Sequence, residues 1–458
     1  MKRSRSILVL VFFAVASLLI AADNPNTSYI APPWKHTWGV RRATPFHLRL
    51  FAGNKTHFNN PQGVACVRLD AWDDTTKTGD DDEVTVYGVN SGDNCIIYNK
   101  SMYSIGIYGL ADEHEKLNRP WGIAADASGN VYVADRGNAR VVHLFNSGNE
   151  LKYVESIGNG ETGAGLVDPR CVALDEDMEL FVTDAALGQV VKYDNAGAEI
   201  GRWNGFIEPK GIAAIGPGER WAFNHQSAFI VVCDSLNQRL TKLDLAGSIK
   251  KRITAEEVCS EKAEFSYPVI DYHGQIIITD EANGCLHKFD SDLNYISRFG
   301  KPGTGAIEFD QPRGIALHRR LGQLFVAERE GAQYLWVAVD VPEFSAEIIK
   351  DSIWTDLNID FRITEPALAE IDIVDKYDRH ITRIMQNRRF PVGASNLTWV
   401  PVVPLREVFE NQKTTIPPTI IRGQMLPVGE YYVKATFRAT YCSRNYFSRE
   451  VKAKFEMR

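Results

Sequence analysis

Pro120-Trp121-Gly122-Ile123-Ala124-Ala125-Asp126, a turn at Ser128-Gly129-Asn130, then Val131-Tyr132-Val133-Ala134-Asp135: this stretch decides the fold. A proline leads a run of small apolar residues, and a second β run closes on an acid. A polar loop follows, Arg136-Gly137-Asn138-Ala139, whose Gly137 and Asn138 suit a tight turn. Arg140 to Phe145 reads as a third strand. Ser147-Gly148-Asn149 turns the chain into a fourth, Leu151 to Ile157. Four short alternating runs joined by turns read as one antiparallel sheet.

The same segment recurs along the chain. Leading prolines stand at Pro61, Pro120, Pro169, Pro209, Pro268 and Pro312. The second run closes at Asn90, Asp135, Asp184, Asp234, Asp280 and Glu328, at intervals of 45, 49, 50, 46 and 48 residues. A fixed period of roughly 40–50 residues built from short strands is the signature of a β-propeller. Six copies imply six blades. The fourth-strand pattern ending in glycine also occurs before the first copy, at Phe46 to Gly53. A strand at 46–53 is therefore expected to close the last blade and remove a free sheet edge, with Glu343 to Ile348 as the competing strand.

The pattern resembles the NHL repeat over roughly residues 45–350. The likeness rests on the P-x-G-[VI]-A start, the [VY]V-[AT]-D strand end, the Gly/Asn loop and the following Arg140 or Arg239. It implies a six-bladed propeller. Copies one and five depart most from the pattern: Asn90 replaces the acid, and Pro268-Val269-Ile270 lacks the glycine.

After Asp351 the period stops. Phe361 to Thr364, Ala369 to Asp375, Asn396 to Trp399 and Leu426 to Phe437 alternate as short strands, which suggests a β-sandwich. Thr398-Trp399 and Leu426-Pro427-Val428-Gly429-Glu430-Tyr431 resemble the two halves of the immunoglobulin-like module of flagellar hook-capping proteins. Val400 to Gln424 is inserted between them. The resemblance implies a bacterial source. The likeness to the terminal sorting domain of type IX secretion cargo is weaker. The expected fold is all-β: residues 1–22 a signal peptide, 23–350 a six-bladed NHL-like propeller, 351–458 an immunoglobulin-like sandwich.

Lys2, Arg3 and Arg5 precede an apolar run from Ile7 to Ile20, with Ala21-Ala22 as a cleavage site. An exported mature chain (periplasmic, secreted or at the cell surface) without a transmembrane segment is expected. The net charge of −7 opposes a nucleic-acid binder. The seven cysteines, an odd number, form no CxxC pair.

The first strand of a propeller blade lines the central channel. The residues after the leading prolines, Gln62, Trp121, Arg170, Lys210, Val269 and Arg313, are therefore expected around one mouth, with Arg119 beside them. Gln62, Arg119, Trp121, Arg170, Lys210 and Arg313 form the candidate ligand site, in which cations hold an anionic group and Trp121 offers a stacking face. The competing reading pairs these cations with Asp168, Glu208 or Asp310. The repeated Asn90, Asp135, Asp184, Asp234, Asp280 and Glu328 read as strand-end caps rather than as chemistry, because a residue needed once per blade is most simply a loop anchor. The acids from Asp70 to Glu83 read as a solvated insertion.

No catalytic set, metal site or cofactor is assigned from sequence. Some propeller lyases and lactonases carry metal ligands at the channel mouth, and no histidine stands at those positions here. A monomeric, non-enzymatic binding scaffold for protein or glycan is the first reading. An exported hydrolase or lyase acting on an anionic small molecule or sugar acid is the second.

Overall fold

A computed structural model describes residues 26–458 except 38–39, 73–83, 102–103, 111–115, 149, 161–164, 226, 235–237, 260–261, 351–354 and 405–422. The signal-peptide reading and most of the acidic insertion lie outside these residues.

The chain divides into two compact units. One comprises residues 30–337 with 439–447; the other comprises 338–438 and 448–458 with the N-terminal residues up to 29. The expected boundary at 350/351 is thus corrected. Glu343–Lys350 pairs antiparallel with Thr355–Ile363 inside the second unit, where its alternating side chains have a partner strand.

The first unit is a β-propeller. Among its described residues, six sheets of antiparallel strands follow the sequence period. Their first strands are Pro61–Arg68, Ile123–Ala125, Pro169–Leu174, Pro209–Ile215, Phe265–Ile270 and Ile315–His318. Each touches the first strand of the next sheet, and the sixth touches the first, so the ring closes. The second strands are buried on both faces: Leu180–Asp184, Phe229–Asp234 and Ile276–Asp280 throughout. Outer strands such as Ile249–Thr254 are mostly exposed. The core therefore lies between sheets. Tyr132, Ala134 and Val141 of the second sheet pack on Val172, Leu180 and Val182 of the third. Each fully buried branched side chain stabilises by about 1.5–3 kcal/mol.

The glycine of the P-x-G motif has a steric cause. A Cβ on Gly314 would lie 2.3 Å from the Gln62 carbonyl oxygen and 2.6 Å from the Val64 nitrogen. A Cβ on Gly211 would lie 2.2 Å from the Ser266 oxygen. Adjacent inner strands approach too closely here for a side chain.

Two expectations need correction. Pro45–Ala52 is an α-helix, not a closing strand. Thr44 stands at its N-cap, Pro45 opens it, and the His47 ring Nδ1 accepts the Thr44 N–H (3.2 Å). Leu48 and Ala52, four apart, are its buried positions, whereas Phe46 and Leu50 are exposed. The alternation of Phe46, Leu48 and Leu50 mimicked a strand, but the cap and the i,i+4 pair won. Residues just upstream do the pairing: Arg42–Ala43 pairs with Gly331–Val337 of the sixth sheet.

The fifth sheet begins three residues earlier than Pro268 suggests. Phe265 pairs with Asp280 as Pro61 pairs with Asn90 and Pro209 with Asp234. Phe265-Ser266-Tyr267 therefore occupies the Pro-x-Gly frame, and Ser266, not Val269, is the ring residue.

The second unit holds a three-stranded sheet, containing Glu343–Lys350, Thr355–Ile363 and Gly393–Trp399, and a four-stranded sheet built on Ala367–Asp375 and Gly429–Ala439. Leu357, Ile359, Phe361 and Ile363 alternate inward, as do Val433, Ala435 and Phe437. Phe361 meets Phe390 and Phe437 of the other sheet at 5.0 and 5.2 Å between centroids.

Candidate functional site

The strand-end residues position the mouth. Each accepts a backbone N–H from the residue one or two positions before the leading proline, or before Phe265 in the fifth sheet. Asn90 accepts from Asn59 (2.8 Å), Asp135 from Asn118 (2.7 Å) and Asp184 from Val167 (2.7 Å). Asp234 accepts from Ile207 (3.0 Å), Asp280 from Glu264 (3.0 Å) and Glu328 from Asp310 (2.9 Å). All six are buried. Arg140 adds a second partner to Asp135 (2.9 Å), as Arg239 does to Asp234.

The loops so anchored carry left-handed non-glycine residues before the leading prolines: Asn60 (φ 54°), Arg119 (φ 49°), Glu208 (φ 49°) and Gln311 (φ 53°). That conformation costs an L-residue roughly 1–2 kcal/mol, and the cap hydrogen bonds offset it.

Around this mouth the ring residues join into two clusters. In the first, the Trp121 ring lies 5.0 Å from both the Arg136 and Arg170 guanidinium carbons. Asp168 accepts from Arg170 Nη2 (2.9 Å) and from Arg136 Nε (2.5 Å). The Trp121 indole nitrogen is buried and meets no acceptor among the described residues.

In the second cluster, Glu281 accepts from Lys210 Nζ (3.1 Å) and Arg313 Nε (3.0 Å). Lys210 also donates to Ser266 (3.0 Å), and Arg313 donates to Asn60 (2.7 Å) and the Pro61 carbonyl (3.1 Å). Gln62 is buried, donates to Asn60 (3.0 Å) and accepts from the Tyr267 hydroxyl (3.1 Å). Burial pushes the Tyr267 hydroxyl far up, so at neutral pH it is a proton donor.

Asp168 does pair with Arg170, but Lys210 and Arg313 share Glu281, which sequence reasoning did not single out. Asp310 pairs with Arg329 instead (2.9 Å). Arg119 is exposed, and its backbone N–H donates to Asn94 (2.6 Å). Within these two clusters four cations (Arg136, Arg170, Lys210, Arg313) meet two carboxylates (Asp168, Glu281), and Glu208 before Pro209 adds another carboxylate to the mouth loops.

The far ends of the inner strands hold a constellation with no sequence signal. Arg319, in the turn after Ile315–His318, donates to the Ile270 carbonyl (3.0 Å), the Ala214 carbonyl (3.1 Å) and the Glu219 carboxylate. Its Nη1 is also 3.6 Å from Glu176. One guanidinium thus ties the third, fourth and fifth sheets to the sixth. Glu176 accepts the Gly216 N–H (2.7 Å). Burial, then the neighbouring Glu219, pushes Glu176 up to about 8. Burial also acts on Glu219, but the Glu176 proton and Arg319 outweigh it and hold its carboxylate down.

This predicts a pH effect. Above a pH of about 4.5 the unfolded chain loses the Glu176 proton while the folded chain keeps it. Stability therefore falls as pH rises from there, and the loss is complete once pH passes about 8. The side chain is 24% exposed, so solvent screening limits the effect; about 1–2 kcal/mol remains. A glutamine keeps both hydrogen bonds without ionising. Urea titrations should find Glu176→Gln about as stable as wild type at pH ~4 and more stable by that margin at pH ~9. Parallel pH profiles would contradict the shared proton.

Residues 117–144 match the NHL repeat. That segment carries the second sheet's cap, loop and inner strand. No curated protein matches the chain. Solved structures similar to it include a gluconolactonase from Xanthomonas campestris (14% identity, 65% of this chain and 94% of that one covered, TM-score 0.44). Others are a virginiamycin B lyase from Staphylococcus aureus (12%, 55% and 76%, 0.40) and a calcium-binding regucalcin from Agrobacterium tumefaciens (15%, 62% and 91%, 0.42).

Proposed function

We propose that the protein is an exported binding scaffold: a six-bladed NHL-type propeller that holds an anionic group of a protein or glycan at the ring mouth. Its immunoglobulin-like C-terminal domain serves attachment or secretion. The carrying observation is that Arg136, Arg170, Lys210 and Arg313 outnumber Asp168 and Glu281 in the two clusters at the mouth, with Arg136 and Arg170 held over the Trp121 ring. Arg170 and Arg313 supply charge-assisted hydrogen bonds to a carboxylate or sulfate, and the Trp121 ring packs against Arg170 and Arg136. The N-terminal basic and apolar run supports export.

Tyr267 favours a second reading. Its hydroxyl, protonated at neutral pH and donating to Gln62 within the field of Arg313 and Arg170, would supply the proton if a sugar acid reached the ring mouth. The two readings separate in one screen of the purified full chain against acidic and neutral glycans. Retention of unaltered acidic glycans supports the scaffold. Conversion of a sugar acid that is lost in Tyr267→Phe supports the enzyme. Retention of neutral glycans alone overturns both.

A further inference from the structure

We propose that Asp280, Cys285 and His287, all buried in the fifth sheet, form a binding site for a divalent transition-metal ion of the zinc class. Asp280 Oδ2 lies 3.0 Å from His287 Nε2, Cys285 Sγ lies 3.5 Å from the same nitrogen, and Cys285 Sγ lies 3.9 Å from Asp280 Oδ2. Zinc bonds of about 2.0–2.3 Å to oxygen, nitrogen and sulfur place the donors of a tetrahedral site about 3.3–3.6 Å apart. The three atoms thus form one face of such a tetrahedron to within a few tenths of an ångström.

The surroundings orient these donors. Asp280 Oδ1 accepts the Glu264 and Asn283 amides (3.0 and 3.2 Å), and Oδ2 accepts Asn283 Nδ2 (2.8 Å). The Tyr295 hydroxyl is 3.5 Å from His287 Nδ1, leaving Nε2 toward the other two donors. Second partners of this kind fix ligand orientation in metal sites.

The other sheets serve as internal controls. Five residues after the cap they carry Cys95, Arg140, Gln189, Arg239 and Gln333, and seven after it Ile97, Val142, Val191, Thr241 and Leu335. Arg140, Arg239 and Gln333 donate to their cap carboxylates. Only the fifth sheet combines an acid, a thiol and an imidazole at these positions. A hydrogen-bond anchor needs one donor there, as the arginines show; the added thiol is what a soft metal ligand requires.

Cobalt(II) is the probe, added to the chelator-treated full chain both when folded and during refolding. The expected result is a thiolate-to-cobalt charge-transfer band that saturates at one equivalent and is displaced by zinc. It persists in Cys95→Ser and is lost in Cys285→Ser. Should Cys285→Ser fail to fold, His287→Gln takes its place, and a zinc-dependent rise in the wild-type Tm gives an independent readout. No band at one equivalent, or a band unchanged in both Cys285→Ser and His287→Gln, overturns the site.

Discussion

Gly314→Val is expected to abolish the cooperative unfolding transition of the propeller unit. The added Cβ would meet the Gln62 oxygen at 2.3 Å, the Val64 nitrogen at 2.6 Å and the Gly63 carbonyl carbon at 2.7 Å, all backbone atoms of the adjoining inner strand. Backbone at the centre of a closed ring has no room to retreat, because every inner strand is held by two neighbours. Overpacking costs about 1–3 kcal/mol even where side chains can adjust. With backbone as the obstacle, a loss of more than ~5 kcal/mol is expected, comparable to the whole stability of a domain. Gly211→Val should behave alike. Cys171→Ala, at the corresponding place in the third sheet, removes only a sulfur and should cost about 1–2 kcal/mol. Thermal unfolding followed by circular dichroism separates the cases. A Gly314→Val protein melting within a few degrees of wild type would contradict the steric account.

The repeat was legible because a propeller imposes the same local demands on every sheet. The leading proline, the glycine at the point of closest approach and the buried cap are each fixed by backbone geometry, so they recur visibly in sequence. Legibility failed where one element answers to a different neighbour. Phe265 stands where a proline was sought, and Pro268 nearby misled the frame by three residues. Tyr267 replaces the motif glycine and reaches Gln62. Neither change has a local sequence signal.

The ring cations were legible as a set, but their charge balance was not. Glu281 follows the fifth cap by one residue, and only the closed ring brings it to both Lys210 and Arg313. The Glu176, Glu219 and Arg319 cluster joins three separate turns and was invisible for the same reason.

Glu281→Gln is expected to raise affinity for acidic ligands, and Arg313→Ala to lower it. Glu281 now neutralises two cations at once. Removing its charge leaves Lys210 and Arg313 drawing an anion with less competition, an expected gain of several-fold. Arg313→Ala removes a guanidinium whose Nε, Nη1 and Nη2 all face polar groups of the mouth. A charge-assisted hydrogen bond contributes about 1.5–3 kcal/mol, so binding should weaken by at least about tenfold. Arg170→Ala should weaken it similarly and also free the Trp121 face. Opposite signs from neighbouring substitutions distinguish direct electrostatic binding from general damage to the fold, which would lower affinity in every variant.

Calorimetric titration of wild type, Glu281→Gln and Arg313→Ala with an oligogalacturonate and a sulfated oligosaccharide, each beside a neutral counterpart, decides whether the ring mouth binds anions. Binding of an acidic probe is expected to weaken with added salt, strengthen in Glu281→Gln and fall at least about tenfold in Arg313→Ala. Equal binding of acidic and neutral probes, or affinities that ignore both substitutions, would contradict it.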